Sequence, residues 1–160
     1  NMNSNKIIYS AAIGNGIANT IINGAITWFT FKSMTQVPFS LDSISNKEVT
    51  VFGTMFPVVL GLTFILGIIT FFTFKKTAEK EKLADLATIN KPFFPDMIKF
   101  IFGRTLAAFG FMMVVAVLFQ RIFGTIITTS LMATIIVGIA AGLAAAYIGI
   151  SVSKEVIRKN

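Results

Sequence analysis

The stretch "GNGIANTIINGAITWFTF", residues 14–31, decides how this chain is read. It is apolar enough to belong in lipid, yet it carries Asn15, Asn19 and Asn23 at four-residue intervals. It forms most of an apolar run over residues 7–31, and three more runs follow at 51–74, 98–119 and 122–150. Each matches or exceeds the roughly 20 residues with which a helix crosses about 30 Å of hydrocarbon. The pattern predicts an all-α polytopic membrane protein, a bundle of four transmembrane helices in a single membrane domain over residues 1–160.

Composition points the same way. The 160 residues are 54% hydrophobic and 13% charged, with a mean hydropathy of +0.78. A soluble domain carries about 25% charged residues, so this chain has too little polar surface to coat a globule in water. The first run exceeds the roughly 7–15 residues of a signal-peptide core, and Trp28, Phe29 and Phe31 stand where small cleavage-site residues belong. A membrane span is therefore expected there. Asn1, ahead of Met2, reads as an added residue.

Lysine and arginine positions orient the spans. Lys6, Lys75, Lys76, Lys80, Lys82, Lys91, Lys99, Lys154, Arg158 and Lys159 fall on one side; Lys32, Lys47 and Arg121 fall on the other. The positive-inside rule then predicts both termini in the cytoplasm of a bacterial-type plasma (inner) membrane. The net charge of +7 is explained by these flanks, and no nucleic-acid partner is expected. The outer loop "SMTQVPFSLDSISNKEV" contains a capping-box pattern at Ser45 and Glu48, which predicts a second helix from about 46. Good helix formers after Lys75 extend that helix to about Ala87, within a cytoplasmic loop over 75–97 that Pro92 and Pro95 interrupt. That loop reads as a solvated helix end or as a docking segment for a partner. No internal repeat is detected.

Residues four apart on a helix lie nearly above one another, so Asn15, Asn19 and Asn23 share a face, which Ala11 and Thr30 extend. An unsatisfied amide in apolar surroundings costs about 2–7 kcal/mol, so this face is expected to turn toward other helices or water. One reading is interhelical hydrogen bonding within the bundle or between copies, at about 0.6 kcal/mol per bond on average. The other is a wetted path in which amides replace a solute's hydration shell. Arg104 is the only formal charge well inside a span, about 7 Å deeper than Lys99. Either it snorkels to the headgroups, or it meets Asn15 at the mouth of a path and favours anions.

All seven acids lie in loops, edges or the tail, which argues against proton- or cation-coupled transport. Cysteine and histidine are both missing, which removes thiol chemistry, soft-metal sites and the usual near-neutral proton carrier. There is no catalytic constellation; neither enzyme activity nor a cofactor is expected. Pro57 predicts a kink in the second helix, a static bend or a gate hinge, with Thr54 available to bond the freed Gly53 carbonyl. Gly138, Gly142 and Ala146, and likewise Gly103, Ala107 and Gly110, are spaced for close helix–helix seams within the protomer or in a homo-oligomer. The seventeen phenylalanines are expected mostly at lipid-facing and belt positions.

Asn19, Ile22, Asn23, Gly24 and Trp28, followed by Val37-Pro38, Ser43-Ile44, Thr54 and Pro57, resemble the first hairpin of a family of uncharacterised bacterial four-helix membrane proteins. That family shares an N-x-x-I-N-G helix, a V-P loop and a proline-bearing second helix. The resemblance covers about the first 60 residues; it implies membership and a fold, and no mechanism. Two functions follow as expectations. One is a passive oligomeric channel or carrier for a small neutral or anionic solute, lined by Asn15, Asn19, Asn23 and Thr30. The other is a non-transporting accessory or scaffold protein whose asparagines serve packing.

Overall fold

A computed structural model of the chain describes residues 2–41 and 48–159. Helix α1 (Met2–Phe31), strand β1 (Val37–Phe39), helix α2 (Val51–Lys80), the short helix α3 (Leu86–Ile89), a π-helical turn (Phe93–Met97), helix α4 (Ile98–Phe123), strand β2 (Ile126–Thr128) and helix α5 (Ser130–Val156) follow in order. The protein is mostly helical. The segments Val51–Lys80, Phe93–Phe123 and Ser130–Val156 are long and apolar enough to cross a membrane. Helix α1 has 30 residues as well, but its asparagines, threonines and glycines dilute its hydropathy.

Local chemistry sets the helix ends, and it moves several of them from where the apolar runs suggested. Helix α2 starts at Val51, five residues later than expected, because Thr50 is its cap: the Thr50 hydroxyl accepts the Gly53 amide at 2.9 Å. Ser45 of the expected capping box lies outside the described residues. At its other end α2 stops at Lys80 and does not reach Ala87. Lys82 takes a left-handed backbone (φ 49°), and the Leu83 amide bonds back to the Ala78 carbonyl while the Lys82 amide bonds that of Glu79. This pair of bonds is a Schellman stop. Helix α4 continues to Phe123, so Arg121 sits in its last turn and not in a loop. Gly124 then turns the chain at φ 67°, a conformation open to glycine. Thr129 caps α5 by accepting the Met132 amide at 3.2 Å.

The fold departs from all-α in one place. Strands β1 and β2 pair antiparallel, Val37 opposite Thr128 and Phe39 opposite Ile126, and so join the two connections at that end. The ribbon is tied down further by Gln120, whose Oε1 accepts the Leu41 amide at 3.1 Å and whose Nε2 donates to Thr125 at 3.3 Å. The Thr125 hydroxyl in turn bonds Ser40 at 3.2 Å. We call this the ribbon end and the opposite one the lysine end.

Helix α5 is the centre of the bundle. It packs along α1 on one side and α2 on the other, whereas α4 packs mainly on α2 and touches α5 lightly. One core cluster at the ribbon end holds Phe31, Phe39, Phe52, Val59 and Val137; a second, at the lysine end, holds Ile8, Phe71, Phe74, Ile101 and Ile148. Five of the seventeen phenylalanines, Phe31, Phe39, Phe52, Phe71 and Phe74, are buried in these clusters, and the other twelve are exposed or half-buried. Phe52 meets Phe39 and Phe119 edge-on, at 5.0 and 5.9 Å between centroids.

Candidate functional site

Small residues bring α1 against α5. Ala12, Gly16, Thr20 and Gly24 of α1 face Gly149, Gly142 and Gly138 of α5, and a Cβ added to Gly138 would lie 3.0 Å from the Thr20 carbonyl oxygen. Ala146 joins this seam beside Gly16. The expected seam residues Gly138, Gly142 and Ala146 thus meet a matching row on α1, within the chain. Gly103 and Gly110 of α4 meet nothing within 4 Å, and Ala107 lines an open cleft. That cleft, about 540 Å³, lies between α4 and α5 and has apolar walls that include Phe111, Leu143 and Tyr147.

The asparagine row runs along the flank of this seam. It lies one residue ahead of the seam positions Gly16, Thr20 and Gly24, and hence about 100° around the helix from them. Asn15 is exposed, Asn19 and Asn23 are half-buried, and Thr30 is exposed two turns further on. Within the chain the row makes no bond to another helix among the described residues; it bonds itself. Asn19 Nδ2 donates to the Asn15 carbonyl at 2.9 Å and Asn23 Nδ2 to the Asn19 carbonyl at 3.0 Å. Each amide thereby satisfies one donor on its own helix, as a threonine does when it bonds back one turn. Thr20 does this on the seam itself, donating to the Gly16 carbonyl at 2.9 Å.

At the lysine end the row opens into a polar groove of about 110 Å³ between α1, α2 and α5. Asn15, Thr70, Thr73, Thr77 and Ser153 supply its polar lining, with Ala12 and Gly149 at the seam. Thr73 donates to the Ile69 carbonyl at 2.9 Å and Thr77 to the Thr73 carbonyl at 3.4 Å. Among the described residues, none bonds the Asn15 carboxamide or the hydroxyls of Thr70 and Ser153. Ser153 is only 5% exposed, so its free hydroxyl is held in the wall of the groove. The threonines and Ser153 were not singled out in the sequence. Thr70, Thr73 and Thr77 form a three- and four-residue series that runs past Lys75 and Lys76, and that spacing was the available signal.

Arg104 is not part of this site. It is exposed on α4, a helix on the other side of α2 from the groove, and its guanidinium lies 5.0 Å from the Phe100 ring centroid. Phe100 is one turn nearer the lysine end, so the side chain leans the way a snorkelling arginine does. The meeting of Arg104 with Asn15 at a shared mouth does not occur. Pro57 is exposed on α2, which runs through it without a break.

Two contacts at the lysine end hold the helices around the groove. Lys154 Nζ donates to the Tyr9 hydroxyl at 2.9 Å, joining α5 to α1. Lys91 donates to the carbonyls of Glu155 and Arg158, satisfying groups at the end of α5. No acid-rich cluster able to hold a metal ion occurs among the described residues. No protein-family model, curated protein or solved structure matches the chain.

Proposed function

We propose that this chain is a multi-pass protein of a bacterial-type inner membrane that crosses the bilayer four times, with α1 as the fourth span and both termini cytoplasmic. Three helices have the length and apolarity for a span. Helix α1 is packed along α5, so it shares α5's depth, and the lysine excess at one end supports the orientation. Membership in the four-helix family resembled by the first hairpin belongs to the same proposal.

On this reading the protein is a scaffold that works by self-assembly through the amide-bearing flank of α1. One observation carries it: Asn19 and Asn23 spend a donor on their own helix and stay half-exposed on a flank beside the seam, where their side-chain oxygens receive only a long 3.5 Å bond, from Asn23 Nδ2 to Asn19 Oδ1. A second copy supplies donors to those oxygens where lipid supplies none. The chain has no cysteine, so single-cysteine variants test this directly. Ile22→Cys and Ile26→Cys, beside the row, cross-link copies in membranes; Ile21→Cys, turned away from it, does not. Asn19→Leu reduces the cross-linked fraction. Equal cross-linking at all three positions, or none at any, refutes the assembly.

The continuity of the amide row with the polar groove favours a second reading, a passive path for a small neutral solute between copies. Side-chain oxygens suit solutes that donate hydrogen bonds, and any anion preference would come from the lysines at the mouth. Solute leak from proteoliposomes that Asn19→Leu abolishes in a folded protein supports the path. Absence of leak in the unsubstituted protein leaves the scaffold.

A further inference from the structure

The groove at the lysine end has the chemistry of a phospholipid seat. Thr77 and Ser153, which line it, are adjacent to Lys76 and Lys154, and Ile7 is adjacent to Lys6; all three lysines are exposed. The groove extends inward from that level. At 1.5 Å per residue Thr70 lies about 9 Å deeper than Lys76, and Asn15 about 13 Å deeper than Lys6. It therefore spans the depth between lipid phosphates and the first acyl carbons. No acid lines it, and it holds three polar groups free to donate: the Asn15 carboxamide and the hydroxyls of Thr70 and Ser153. Ser153 matters most, because most of the residue is buried while its unbonded hydroxyl opens into the groove, where a ligand oxygen can bond it.

The geometry points to a bound anionic phospholipid, its phosphate diester at Lys6, Lys76 and Lys154 and its glycerol-ester oxygens within reach of Ser153 and Thr70, with Asn15 further in beside the start of an acyl chain. The cations supply charge where the phosphate sits, and the neutral donors are graded inward from it, Ser153 first, then Thr70 and then Asn15. This order matches a lipid and not a free anion, which would gain nothing from the buried donors beyond its reach. The inference rests on the membrane placement proposed above and not on how copies assemble, so the cross-linking result and the lipid result can fail separately.

Native mass spectrometry of the purified full chain tests it, with phosphatidylglycerol, phosphatidylcholine and inorganic phosphate as separate titrants. One phosphatidylglycerol is expected per chain, with phosphatidylcholine roughly tenfold weaker, because its choline cation brings a like charge beside the three lysines. The double variant Thr70→Val, Ser153→Ala loses roughly tenfold in phosphatidylglycerol affinity. Lys76→Gln, an exposed change that leaves packing intact, narrows the gap between the two lipids. Equal binding of both lipids, or full affinity in both variants, overturns the proposal. Displacement of the lipid by equimolar inorganic phosphate also overturns it, by making the site one for free anions.

Discussion

A Cβ built on Gly142 would lie 2.7 Å from the Gly16 carbonyl oxygen across the α1–α5 crossing. The Thr20 hydroxyl would clash as well and could turn aside, but the Gly16 carbonyl is backbone and cannot rotate away, so an added methyl must push the helices apart. Gly142→Ala is expected to lower stability in detergent by about 1–3 kcal/mol, the usual cost of overpacking. Gly149→Ala is the control, because its Cβ would meet only Ala12 at an ordinary 3.9 Å. Thermal unfolding of both variants checks the ranking; equal melting temperatures would sink the account of the seam.

Gln120 holds the ribbon end by bonding the Leu41 amide and Thr125 at once. Gln120→Leu removes both bonds and leaves the half-buried Leu41 amide with one partner fewer. The expected loss is about 1 kcal/mol, and it is local. Hydrogen exchange should quicken at Leu41 and across Val37–Phe39 while the middle of α5 keeps its protection.

Asp85 starts the short helix α3, and its carboxylate accepts the Thr88 amide at 2.7 Å. Hydrogen bonds from Thr88, the backbone amide first and the side chain second, hold this carboxyl below its ordinary 3.8. A depressed carboxylate favours the folded turn above its unfolded value, and that contribution disappears as pH falls through the lower folded value. The Thr88 amide shift should therefore titrate with a midpoint under 3.8, and Asp85→Ala should abolish that titration. A midpoint at or above the ordinary value would contradict the cap.

The long elements were legible because apolar runs of span length have few alternatives, and 51–74 and 98–119 fall inside the observed α2 and α4. The second half of the seam was legible too, since Gly138 and Gly142 announce close approach. The complementary row Ala12, Gly16, Thr20 and Gly24 stood in the same register but was hidden by the more conspicuous asparagines. Those asparagines were placed on one face correctly. Their partners were not readable, because a carboxamide can reach its own helix as easily as a neighbouring one. The ribbon left no signal: two three-residue strands, one of them Val-Pro-Phe, are too short for an alternating pattern, and the pairing joins distant parts of the chain. Ile126 and Ile127 passed for the start of a span for the same reason.

The β1–β2 ribbon has a mechanical meaning for the molecule as a whole. It buckles the turn after α1 to the turn before α5, so one rim of the barrel of helices is belted while the other depends on single side chains such as Lys91 and Lys154. The belted rim is therefore expected to hold its helix spacing more tightly than the lysine rim, where side-chain contacts alone fix it.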